Sequence, residues 1–109
     1  FMTVVFTNAR FISLNEGNDI YSVMVVHGKE IVYLGYNTPM CYDDEKVIDL
    51  KGGYVLPLIN DKVYYDTSHA ECEVLEEGAQ ADFIVIDKNV LADDKPQILE
   101  VYVKGRKKV

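Results

Sequence analysis

A chain of 109 residues holds one domain with a modest core, and that size buries roughly two thirds of the surface exposed on unfolding. Apolar residues at 49% against charged residues at 27% exclude a disordered chain. With 18 acidic and 11 basic side chains the net charge is −7, a field that repels nucleic acid and anionic membranes.

The opening FMTVVFTNAR has no basic n-region and no small-residue cleavage site, so no signal peptide is expected, and Phe1 ahead of Met2 reads as an addition upstream of a natural start. Branched and aromatic residues in TVVFTNARFISL predict two strands around a tight turn at Asn8 and Ala9. NEGND (15–19) is polar and glycine-containing, a loop. YSVMVVHGKEIVYLGY is a hairpin turning at Gly28-Lys29, where glycine supplies the positive φ of a two-residue turn. Val23 and Val25 alternate with Met24 and Val26, and Ile31 and Tyr33 with Val32 and Leu34, so both strands are apolar on both faces and expected to be buried on both.

NTPMCYDDE is a second loop, and KVIDLKGGYVLPLI reads as strand, Gly-Gly turn and strand. Two readings of DTSHAECEVLEEG compete: a short helix with a Ser68-x-x-Glu71 capping box and a terminating Gly78, or a strand near Val74-Leu75. ADFIVID is a buried strand and NVLADDKPQ a loop containing Pro96. ILEVYVKGRKKV predicts a last hairpin turning at Gly105-Arg106, its cations (Lys104, Arg106, Lys107, Lys108) forming a solvated edge. Nine or ten short strands without repeats predict an all-β fold, a small β-sandwich or pseudobarrel with at most one short helix. Cys41 and Cys72 are too few for a disulfide framework and are expected as reduced thiols in a cytoplasmic protein. No apolar run approaches the roughly 20 residues of a membrane span.

Three stretches, VVFTNARFISL, VMVVHGKEIVYLG and VIDLKGGYVLPLIND, together resemble the N-terminal segment of the amidohydrolase superfamily of metal-dependent hydrolases. LEEGAQADFIVIDKNVL and VYVKGRKKV resemble its C-terminal segment, and the set is carried above all by Gly-Tyr-Val-Leu-Pro and Gly-x-x-Ala-Asp-x-x-x-x-Asp. The resemblance implies the family's composite domain, a β-sandwich built from both chain ends beside a catalytic (β/α)8 barrel, with long enzymes acting on amide-like bonds the most similar branch. It divides the chain into an N-terminal segment 1–59, a bridge 60–73 and a C-terminal segment 74–109. Only 17 residues run from Leu58 to Val74, where a barrel needs on the order of 250.

The family's metal motif after Leu-Pro is Gly-Leu-Ile-Asp-x-His-x-His. Aligned on Leu58-Ile59, this chain has no glycine after Pro57, Asn60 for the aspartate, Lys62 for the first histidine and Tyr64 for the second. A lysine ammonium offers three donors and no lone pair, so the ligand set is void. The remaining chemistry-bearing residues read as ordinary surface or turn groups. His69-x-x-Cys72 with Cys41, Asp43 and Asp44 lacks the two tight pairs of a structural zinc site. His27 stands alone at a strand end, and the acidic runs (Asp43, Asp44, Glu45; Glu71, Glu73, Glu76, Glu77) lie in polar loops as solvated faces. Asp82 and Asp87 bracket a strand, where turn hydrogen bonds suffice, and the eight tyrosines read as packing with polar tips.

No catalytic, cofactor-binding or metal-binding residue is therefore expected. The expected role is a non-catalytic structural domain derived from an amidohydrolase, with no nucleic-acid, membrane or small-molecule partner. A free-standing protein-interaction module is the alternative, or the accessory part of a hydrolase of carbon–nitrogen bonds whose barrel is another chain. A homodimer is expected through Leu58, Ile59, Val63, Tyr64 and Tyr65 or through an exposed strand edge, since a face that has lost its barrel stays apolar.

Overall fold

The computed structural model describes residues 2–58, 74–87 and 96–108. Its strands are β1 (Thr3–Ile12), β2 (Ile20–Tyr21), β3 (Val23–His27), β4 (Glu30–Gly35), β5 (Lys46–Pro57), β6 (Phe83–Ile86), β7 (Ile98–Val103) and β8 (Arg106–Lys107). They form one mixed sheet in the order β4-β3-β1-β5-β6-β7-β8, with β2 paired to the end of β1. The class is all-β, as expected, in a single sheet that does not close. A one-turn 3-10 segment at Met40–Tyr42 is the sole helical element among the described residues. The possible short helix falls largely on residues outside the described ones; Val74 to Glu77 carry neither helix nor strand.

Two sequence expectations are corrected at the centre of the sheet. Neither TVVFTNARFISL nor KVIDLKGGYVLP folds back on itself: each is one long strand, and the two run side by side, the one parallel pair in the sheet. The residues that read as turns are in-strand irregularities. Asn8 has φ 53°, and Lys51 and Gly52 have φ 57° and 80°. The register passes from Thr7↔Asp49 to Ala9↔Gly53, so both strands shift at one level. A bulge exchanges the faces to which alternate residues point. Thus Phe6 on one side of Asn8 and Phe11 on the other share the inner core, as do Leu50 and Val55 across Lys51-Gly52. The break is pinned by Asp49 Oδ1, which accepts from Lys51 N (2.7 Å) and Asn8 Nδ2 (2.9 Å).

The sheet curls far enough for distant strands to meet. β1 and β7 are three strands apart, about 14 Å if flat, yet the rings of Phe6 and Tyr102 lie 5.4 Å apart. Phe83 completes the trio, edge-on to Phe6 at 5.3 Å and stacked on Tyr102 at 4.5 Å. These rings sit in an inner core with Met24, Ile31, Leu50, Val55, Leu75 and Val85. The outward faces are buried too: Ile84, Ile86, Leu56, Leu58 and Val101 on one side, Val5, Val23 and Val25 with Tyr33 and Tyr42 on the other. The two-faced burial expected for both hairpin strands is met in β3, with Met24 and Val26 inward and Val23 and Val25 outward, whereas in β4 Ile31 and Leu34 are buried and Val32 and Tyr33 only half-buried.

Residues 78–81 form a strap along the outer edge of β4. Gly78 N donates to Ile31 O (2.8 Å), Ile31 N to Ala79 O (2.9 Å) and Ala81 N to Lys29 O (2.7 Å). Ala81 O in turn accepts from Gly105 N (2.9 Å), so the strap ties the β3–β4 turn to the β7–β8 turn. The first of these turns is Gly28-Lys29, as predicted, between paired His27 and Glu30. The second is Lys104-Gly105, one residue before the predicted Gly105-Arg106. Its φ values of 54° and 76° are the two positive ones that a right-twisted hairpin demands. A Cβ on Gly105 would collide with the carbonyl oxygen of Gly28. Gly105→Ala is therefore expected to lose about 2 kcal/mol or more, the left-handed penalty plus the clash. Lys104→Gly, which relieves a positive φ, is expected to be neutral or stabilising. Thermal unfolding of the two variants checks this; equal midpoints would contradict it.

Candidate functional site

A concavity among the described residues lies where the β5 break faces β6 and β7. It is an open depression of about 230 Å³ lined by Asp49, Leu50, Lys51, Gly52, Gly53, Val85, Asp87, Leu99 and Glu100. Three carboxylates line it, and each is already engaged by the chain. The Lys51 backbone N–H, followed by the Asn8 amide, holds the Asp49 carboxyl below the usual carboxylate range. Asp87 Oδ1 accepts Gln97 N at 2.8 Å, while Asp87 N donates to Gln97 O at 3.2 Å, a two-way pairing. Glu100 takes the Tyr102 hydroxyl on Oε1 (3.2 Å) and Lys107 Nζ on Oε2 (3.0 Å). Burial, then the charge of Glu100, pushes the Tyr102 phenol up from its ordinary value. Such an arrangement fixes turns and ring positions, with no general base aimed at an apolar pocket.

Asp82 is the one fully buried acidic side chain among the described residues. Its Oδ1 accepts Lys104 N and its Oδ2 accepts Gln80 Nε2, both at 2.7 Å, and its carbonyl accepts Leu58 N at 2.9 Å. The turn roles expected for Asp82 and Asp87 are thus what the geometry gives, and for Asp82 it adds the strap and the end of β5. His27 is exposed and shares a 2.7 Å hydrogen bond between Nδ1 and Thr3 Oγ1.

Cys41 is an exposed free thiol, and Asp43, Asp44 and Glu45 are exposed beside it. His69, Cys72, Glu71 and Glu73, and the positions Asn60, Lys62 and Tyr64 compared with the family's metal motif, lie outside the described residues. Among the described residues no group of three or more His, Cys, Asp or Glu is placed to hold a metal ion. Nor is any helix there long and apolar enough to cross a membrane. Glu76 and Glu77 are exposed as expected, but Glu77 does more than face solvent: its Oε2 accepts Leu34 N at 3.3 Å, capping the β4 edge beyond the strap. Nothing in a run of glutamates announces that partner, which is 43 residues away in sequence.

No family model matches the chain, and no curated protein is similar to it. Solved structures do overlap part of it. An uncharacterized metal-dependent hydrolase from Pyrococcus furiosus matches 54% of this chain at 21% identity and a TM-score of 0.49. A triazine hydrolase variant matches 52% at 20% identity and a TM-score of 0.45. The dihydropyrimidinase from Brevibacillus agri NCHU1002 matches 51% at 26% identity and a TM-score of 0.41. The overlaps take in 14%, 13% and 11% of those proteins, so the chain spans about a seventh of their length or less.

Proposed function

We propose that this chain is a non-catalytic structural domain derived from a metal-dependent amidohydrolase, in which residues 60–73 bridge the place of the barrel. The observation that carries the reading is where the chain leaves and rejoins the sheet. Pro57, near the exit, is in register with Phe83, at the return, and Leu58 N donates to Asp82 O at 2.9 Å. A connection whose ends already touch accepts great changes of length. Even as a flexible loop, growth from about 20 to about 250 residues costs only ~2 kcal/mol. Replacement of the family's His-x-His by Lys62 and Tyr64 supports a role without metal chemistry.

Elemental analysis of the purified, dialysed protein is the test. The expected result is no stoichiometric zinc, nickel or iron; about one metal ion retained per chain would overturn the proposal.

A homodimer forms part of this proposal, with its surface revised. Leu58 is 1% exposed and is not available as a contact, while Ile59, Val63, Tyr64 and Tyr65 lie outside the described residues. The strap and Glu77 cover much of the β4 edge, and the opposite edge strand, β8, carries Arg106 and Lys107, a charged pair that discourages strand addition. Exposed apolar side chains, Ile20 at 41% and Tyr36 at 61% among them, favour a contact between faces. Sedimentation equilibrium at tens of micromolar is expected to give twice 12.4 kDa, and a clean 12.4 kDa species across that range would remove the dimer.

A further inference from the structure

We draw no further inference here: the strongest candidate, the open depression lined by Asp49, Asp87 and Glu100 beside the β5 break, is an acidic cluster whose carboxylates already accept the chain's own donors, and nothing in the structure points to a ligand there.

Discussion

Phe83→Ala is expected to lower stability by about 3–5 kcal/mol, the range for deleting a fully buried phenylalanine and leaving its cavity. Phe83 has no exposed surface and touches two rings from different strands, Phe6 on β1 and Tyr102 on β7. A domain of this size has only about 5–15 kcal/mol in all, so the variant stands near its threshold. In thermal unfolding followed by circular dichroism the midpoint should fall by roughly 15–30 °C. Phe83→Leu refills much of the space and should recover more than half of the loss. The contact joins the two chain segments, so Phe6→Leu and Phe83→Leu should couple by about 0.5 kcal/mol or more in a double-mutant cycle. A loss below 1 kcal/mol for Phe83→Ala would mean that the inner core does not close on these rings.

Asp82→Ala is expected to cost about 2–4 kcal/mol for a different reason. The substitution removes no ring contact and little volume, but it takes away the fully buried carboxylate that accepts Lys104 N and Gln80 Nε2. A hydrogen bond to a charged group contributes about 1.5–3 kcal/mol. Asn at 82 keeps an oxygen for Lys104 N and should restore about half, whereas Leu, which fills the space, should not. Urea denaturation resolves this if the midpoint falls while the slope stays constant. An Asp82→Ala midpoint within experimental error of the parent would show that the strap and the last hairpin are held by packing alone.

The two variants probe features of different legibility. Burial of Phe83 is written locally: FIVI is apolar at every position, and such a run can only lie between two apolar layers. The buried state of Asp82 is not written there. An aspartate before a strand ordinarily makes a turn bond in solvent, whereas here the carboxylate is buried and accepts Lys104 N, 22 residues away. The eventual partner of Glu77 was hidden for the same reason.

Turn chemistry was readable only as far as a glycine's freedom goes. Gly28-Lys29 lies between two runs of matched length and became the turn that the letters predict. Asn8-Ala9 and Gly52-Gly53 carry equally good turn signals, yet Asn8 and Gly52 became breaks inside continuous strands, because a positive φ serves a bulge as well as a hairpin. The choice depends on which strand lies alongside. Had β1 and β5 folded back on themselves, each would have lost the parallel partner that now pairs Val4 through Phe11 with Lys46 through Val55.

By itself, then, the sequence determined the all-β class, the hairpin at Gly28-Lys29 and the two-faced burial of β3. Each of these depends on side-chain type at a fixed local spacing. Only the tertiary structure decided that the strands make one curled sheet, that β1 and β5 run parallel, that β4 is capped by the strap and Glu77, and that Asp82 is buried. Those features depend on contacts between residues tens of positions apart, and their energies come from desolvation and hydrogen bonds formed when the sheet's distant strands meet.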